Sequence, residues 1–442
     1  MGILIEGGIV VTLDKTNRVI NPGAVYIEDN NVKEIGPLKE LKQKYSDADV
    51  LDASNRVVMP SFINTHHHFY STFARGLNIP GEAPKDFGEI LENMWWKLDD
   101  ALLAESIYYS SLIPLMESVR NGVTGVIDHH ESQSYQLGSL DEIAKAVEEV
   151  GIKASLCLGI SDRFGKGREG LDESRRFLEK ISKSPSENIN GMVGLHASFT
   201  VGEDSLNESV MIADEFNTGI HVHCAEDISD QEITRKKYGK SVVERFKDAG
   251  VLNSKSLLVH CIHIDNDEIK MIKESGASVV HNPESNMNNA VGYAKVLDLY
   301  SKGIDVGIGT DGMASSMLGQ MRCAFFQTRN EHRDPTVGFM ETPDMLLGNN
   351  PKILKKVAGW DMGTIQEGQS ANIATIDYNP VTPLNGDNFL GHLLFGMSAP
   401  VVDSTICSGK LIMRHKKILT VDEVKIYEQA RAAARKVWDR IL

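Results

Sequence analysis

Apolar positions along this chain fall into three textures. The first 57 residues break into short apolar runs: Ile3-Leu4-Ile5, Gly8 to Leu13, Ala24-Val25-Tyr26-Ile27 and Val32 to Ile35. The pairs Gly7-Gly8, Pro22-Gly23 and Asn30-Asn31 separate them. Runs of that length between Gly, Pro and Asn predict strands of a small antiparallel sheet. The same texture returns at 371–376, 402–407 and 410–413, so both ends of the chain are expected to build one β-sandwich beside a central domain. In the middle, strand-like and helix-like stretches alternate. Strands are predicted at 57–59, 125–127, 153–158, 192–196, 219–223, 257–260, 277–281 and 304–309, with helical periodicity in the gaps at 139–150, 203–217 and 266–275. Alternation of this kind implies parallel pairing, and eight units imply an α/β fold of the closed (β/α)₈, or TIM-barrel, type. The expected division is 1–57 for the first part of the sandwich and 58–360 for the barrel. Residues 361–442 complete the sandwich and end in an amphipathic helix over 422–441.

Functional side chains of such a barrel sit at the C-terminal ends of its strands, and chemistry-bearing residues cluster there. His66-His67-His68 puts two imidazoles at i and i+2, on one side of a strand end, with His67 on the other side. Strand five ends in His221-Val222-His223-Cys224-Ala225-Glu226, strand six in His260-Cys261, and strand eight in Thr310-Asp311-Gly312. His66, His68, His223 and Asp311 make an N/O ligand set suited to one zinc or similar divalent ion with a position open for water. His223 is preferred over His221 because it lies nearer the mouth and brings Glu226 within reach for proton transfer. His221 reads as a core histidine. His260 should face the site, with His263 at the rim, and Asp311 can also accept a proton from bound water. His196 and His281 end strands four and seven, where each could touch a substrate or be buried and hydrogen-bonded. His129-His130 are weaker candidates. The insert 69–103 should lie over the mouth; its Trp95-Trp96 pair offers an aromatic wall or simply a packed pair, and Arg75 is the obvious cation for gripping a carboxylate.

Composition narrows the partners. A net charge of -15 over 442 residues, with no long basic run, opposes a nucleic-acid backbone as ligand. Five cysteines without CxxC spacing fit reduced thiols better than a disulfide framework. The first residues lack a signal-peptide pattern and no run approaches a membrane span, so a cytoplasmic protein without membrane attachment is expected. The partner is then a small-molecule substrate, and a homodimer remains open.

On Asn64 to His68, Glu117 to Thr124, His221 to Glu226, His260-Cys261, Ser278 to Pro283 and Gly309 to Gly312, the chain resembles the amidohydrolase superfamily over essentially its whole length. The branch it resembles holds guanine, cytosine and S-adenosylhomocysteine deaminases and triazine hydrolases. Nearest within it is the aminohydrolase associated with selenium metabolism, through Trp95-Trp96, Ile127 to His130, Ser285 to Asn289 and Phe395-Gly396-Met397. The resemblance implies one zinc on His66, His68, His223 and Asp311, with Glu226 and His260 serving the substrate, and a hydrolytic deaminase of a small nitrogen heterocycle. Strand four lacks the bridging Lys of binuclear relatives, which favours a mononuclear site. The 286–293 loop departs from the common deaminase pattern and weighs against purine-type substrates. Cleavage of a ring amide by the same machinery, or a non-catalytic metal-binding role in selenium or purine metabolism, are the alternatives.

Overall fold

The computed structural model describes residues 2–397 and 402–442. Five strands come first: β1 Ile3–Val11, β2 Val19–Glu28, β3 Asn31–Pro37, β4 Asp49–Asp52 and β5 Val57–Pro60. Nine follow: β6 Phe62–His67, β7 Val123–His130, β8 Lys153–Ile160, β9 Ile189–Gly191, β10 Val193–Ala197, β11 Ile220–Cys224, β12 Leu257–His260, β13 Ser278–His281 and β14 Val306–Ile308. The last four are β15 Ile373–Ile376, β16 Val402–Cys407, β17 Lys410–Arg414 and β18 Lys417–Ile418.

The middle strands form a parallel sheet in the order β14-β13-β12-β11-β10-β8-β7-β6, with the short β9 beside β8. The sheet closes on itself. Thr310 and Asp311 N–H groups donate to the His66 carbonyl at 2.9 and 3.1 Å, and a parallel bridge joins His67 to Asp311. Strands such as Leu-Leu-Val-His and Ser-Val-Val-His are buried at every position, as a barrel covered by helices demands. The intervening helices carry their own start and stop signals. Asp265 caps the helix Asn266–Ser275 by accepting from Asp267 and Glu268 N–H, and Gly276 ends it in the left-handed region. The chain termini build a second, mostly antiparallel sheet, β18-β17-β16-β15-β5-β1-β2-β3 with β4 on β1, around Ile5, Val10, Val25, Val58, Ile373 and Ile406. The closing helix Glu423–Ile441 packs back on the barrel, where Trp438 donates to the Phe73 carbonyl.

One assignment needs correction. The run at 57–59 does not open the barrel; it pairs with β1 and β15 in the terminal sheet. Pro60 has no N–H to extend that ladder. At Ser61 the chain crosses from one sheet to the other, and β6 begins at Phe62, whose N–H donates to the Gly122 carbonyl. The stretch from Val57 to Ile63, apolar except for Ser61 and buried throughout, conceals that crossing. The consequence for the site is direct, because β6 carries its histidines to the barrel mouth.

Candidate metal centre

His66, His68, His223, His260, Asp311 and Glu226 converge at the C-terminal mouth of the barrel. Ligand-capable atoms of His66, His68 and Asp311 lie within 4.8 Å of one another, as do those of His66, His223 and His260. His68 Nε2 is 3.2 Å from His223 Nε2 and 3.0 Å from Asp311 Oδ1, while His66 Nε2 lies 3.5 Å from the same oxygen. Each imidazole is held from behind through Nδ1. That of His68 contacts the His129 carbonyl at 2.5 Å, that of His223 the His196 carbonyl at 2.7 Å, and that of His66 the Nε2 of His221 at 2.9 Å. A carbonyl can only accept, so Nδ1 of His68 and of His223 carries the proton and Nε2 presents a lone pair to the centre. This is the outer support typical of metal-bound histidine. His66 Nε2 is buried with no hydrogen-bond partner of its own.

The electrostatics say the same. Burial holds His66 far below the ordinary imidazole value and brings His223 down to about 3. Burial would also lower His68, but the Asp311 carboxylate outweighs it and lifts that ring to about 9. Asp311 is in turn held well below the usual carboxylate range, because the His66 and His68 imidazoles beside it overcome its burial. His66 and His223 keep neutral lone pairs, whereas His68 holds the proton that Asp311 draws in; a divalent cation there would supply that positive charge instead, and three nitrogens with one oxygen fit zinc.

Beside this group stand the proton-handling residues. His260 Nε2 is 3.4 Å from Glu226 Oε2 and 3.9 Å from Asp311 Oδ2, and its Nδ1 is 2.7 Å from Asn286 Oδ1. Ser285 Oγ donates to Asp311 Oδ2 at 2.5 Å. Burial, reinforced by the charge of Asp311, pushes the Glu226 carboxyl well above its ordinary range. The backbone here is strained: Ala225, His260, Cys261 and Asp311 have φ of 46, 71, 51 and 52°. Left-handed conformations at non-glycine residues cost roughly 1–3 kcal/mol each and persist where tight packing imposes them. At three strand ends they turn the side chains inward. Gly309 permits this closure, since a Cβ there would meet Asn282 Oδ1 at 2.5 Å and His66 Cβ at 2.8 Å.

A cavity of about 870 Å³, counting its open mouth, leads from the solvent to His68, His223 and Asp311. Trp95, Trp96 and Phe87 of the 69–103 insert, with Phe199, Tyr70 and Met313, give it an aromatic and apolar wall. His196 lines it too, its Nδ1 held by Thr200 Oγ1 at 2.9 Å. The structure does not bring Arg75 or His281 into that wall. Arg75 grips Glu117 through both terminal guanidinium nitrogens, because the two-turn 3₁₀ helix Phe69–Ala74 carries it away from the mouth. His281 lies deeper, edge-on to Tyr293. His67 binds the Asp311 carbonyl and Thr310 Oγ1 behind the strand, and His263 binds the Val291 carbonyl. His129 packs among His66, His68, His221 and His223, closer in than its place in the sequence implies. Sequence reasoning missed Ser285 and Asn286 as partners of Asp311 and His260, and Tyr70, Asp99 and Glu131 in the wall. The available signal was Glu131 directly after the end of β7 and Asp99 beside Leu98 in the helix Trp96–Ala101 of the insert.

His221 does more than fill the core. It holds the Nδ1 of His66 on one side and contacts Cys157 Sγ at 3.5 Å on the other. His221→Ala is therefore expected to weaken metal retention by about 10–100-fold, the usual effect of losing a ligand's outer support, as measured by competition with a chelator. Unchanged metal affinity in a folded variant would reduce His221 to packing.

Comparison with known proteins places this geometry in context. The model of the amidohydrolase family matches residues 57–412. The chain is 30% identical over 443 residues to a 5-methylthioadenosine/S-adenosylhomocysteine deaminase of Syntrophomonas wolfei subsp. wolfei, covering 99% of each chain. It is 30% identical over 446 residues to a 5'-deoxyadenosine deaminase of Methanosarcina mazei, again covering 99% of each. Among solved structures, an adenosine deaminase from Xanthomonas campestris with bound zinc superposes with a TM-score of 0.86 at 22% identity, covering 98% of each chain.

Proposed function

The chain belongs to the amidohydrolase family, and from that premise we propose that it is a zinc-dependent hydrolytic deaminase of a 6-aminopurine nucleoside. The observation that carries the reading is the convergence of Glu226, His260 and Asp311 on one point beside three imidazoles, with ligand-capable atoms of all three within 4.8 Å. The two relatives above, named for adenine nucleosides, reverse the weight that the 286–293 loop placed against purines. The aromatic wall of Trp95, Trp96 and Phe199 suits a flat ring.

His66, His68, His223 and Asp311 would hold the ion, which supplies a water of pKa lowered towards neutrality. The chain's own groups manage the protons. Asp311, fixed by Ser285, takes one proton from the attacking water. Glu226, kept protonated by its burial, donates to the ring nitrogen beside the attacked carbon, which makes that carbon electrophilic. His260, steered by Asn286, hydrogen-bonds the new oxygen. The proton on Asp311 passes to the exocyclic amine, the C–N bond breaks and ammonia leaves. Glu226 recovers its proton from the new hydroxyl as the carbonyl forms, so donors and acceptors return to their starting states.

Ammonia release from adenosine, 5'-deoxyadenosine and 5-methylthioadenosine by the zinc-loaded protein is expected, with pyrimidine and triazine amines far slower. Inert adenine nucleosides alongside hydantoin-type ring opening would replace this reading with the ring-amide one.

A further inference from the structure

The His129 ring has no part in the centre described above, yet it is held like a metal ligand. It is fully buried on β7, with its centroid 4.6 Å from that of His223 and 5.5 Å from that of His68. Its Nε2 lies 3.0 Å from the Leu195 carbonyl. A carbonyl only accepts and burial keeps the ring neutral, so the proton is on Nε2 and Nδ1 keeps the lone pair. That Nδ1 is buried without a hydrogen-bond partner. A buried acceptor left unpaired is costly, and a barrel interior is ordinarily filled by branched apolar side chains. The fold nonetheless keeps room for this imidazole. A Cβ at Gly159 on β8 would lie 2.5 Å from His129 Cε1.

Three imidazoles are held in the same manner. Nδ1 of His68 is set against the His129 carbonyl, Nδ1 of His223 against the His196 carbonyl, and Nε2 of His129 against the Leu195 carbonyl. The back nitrogen of each is spent on the main chain, so the other nitrogen is the one that can face an ion. His68 gives up its extra proton to do so. Ligand-capable atoms of these three residues lie within 4.8 Å of one another. The Nε2 atoms of His68 and His223 are 3.2 Å apart, the spacing of two ligands at roughly 2.0–2.1 Å from one ion. Asp311 joins the neighbouring group, with His66 and His68.

We propose that His68, His129 and His223 form an inner cation seat, alternative to the outer one on Asp311, for a late first-row divalent ion such as zinc, cobalt, nickel or copper. Imidazole donors suit these ions, whereas magnesium and calcium take oxygen ligands. An imidazole nitrogen has a single lone pair. An ion in either seat therefore takes His68 and His223 from the other, and the chain holds one ion at a time. The inner seat has no carboxylate to offset the charge of the ion, which makes it the weaker of the two. It needs only the histidines and is independent of the deaminase reading.

The test adds cobalt(II) to the metal-free, full-length His66→Ala chain, which lacks one outer ligand and keeps the inner seat whole. One cobalt should bind, weakly enough to be lost on dialysis, and give a visible absorption band. Proton NMR should then show three strongly shifted, exchangeable N–H resonances, from Nδ1 of His68 and of His223 and from Nε2 of His129. Adding His129→Phe should weaken cobalt binding at least about tenfold, the lower end of what losing even an outer support costs, and leave two such resonances. Circular dichroism reports folding, and His66→Leu, which fills the volume, takes the place of an alanine variant that does not fold. Equal cobalt affinity with and without His129, only two shifted resonances while it is present, or no binding by the folded single variant would each overturn the inner seat.

Discussion

Replacing Glu226 by Gln is expected to lower kcat by about 10²–10⁴-fold, the ordinary contribution of general acid–base catalysis, while zinc content and thermal unfolding stay near the wild-type values. The residue is poised for this. Its Oε2 lies 3.4 Å from His260 Nε2, and Asn289 Nδ2 reaches Oε1 at 3.5 Å. Burial and the Asp311 charge keep its carboxyl protonated to higher pH than an exposed glutamate. A glutamine matches the shape and the donor but cannot give up and recover a proton. The effect should fall on kcat more than on KM, since the proton moves only as the tetrahedral carbon forms. Steady-state ammonia release with metal analysis of the same preparation decides it. A folded, zinc-replete Glu226→Gln enzyme within a few-fold of wild type would move the acid elsewhere, with Asp99 and Glu131 the next carboxyls in the cavity wall.

How far these features were legible in the chain follows from the range of each signal. Alternation of apolar runs and helical periodicity is local, so the barrel and the terminal sheet could be read from the sequence. The ends of strands are where polarity changes, so His66, His68, His223, His260 and Asp311 stood out as metal-capable residues at or just past the ends of apolar runs. The structure places all five at one mouth. The crossing at Ser61 was hidden because both sheets bury that stretch, and a single buried serine between apolar residues is a weak mark of the change. Contacts between elements distant in the chain left no local trace. Ser285 reaches Asp311 from 26 residues away, and Arg75 is taken by Glu117 from 42 residues away. The first looked like part of a polar loop and the second like a free cation. The left-handed backbone of His260 and Asp311 is likewise invisible in residue types that rarely adopt it, because tertiary closure imposes it.

The neighbouring histidines His66 and His67 provide the sharpest contrast available within one strand. Both are buried, at 0% and 1% exposure, so neither substitution is milder on grounds of burial. His66 points Nε2 towards Asp311 Oδ1 and is backed by His221, whereas His67 faces away and spends Nδ1 on the Asp311 carbonyl and Thr310 Oγ1 at 2.7 Å each. His66→Ala removes one of three imidazoles around the carboxylate. It is expected to leave less than about a tenth of the wild-type zinc after dialysis, in line with the affinity that single metal-site contacts control, and to abolish measurable deamination. His67→Ala should cost stability by roughly 1–3 kcal/mol through the lost hydrogen bonds and keep close to one zinc per chain. Elemental analysis and chemical denaturation of the two variants separate the cases. Equal metal loss in both would mean that the strand end, not the ligand, governs binding. Two metals per chain in the wild type would contradict the mononuclear reading drawn from the fourth barrel strand, β10, which runs Val193-Gly194-Leu195-His196-Ala197 without a lysine.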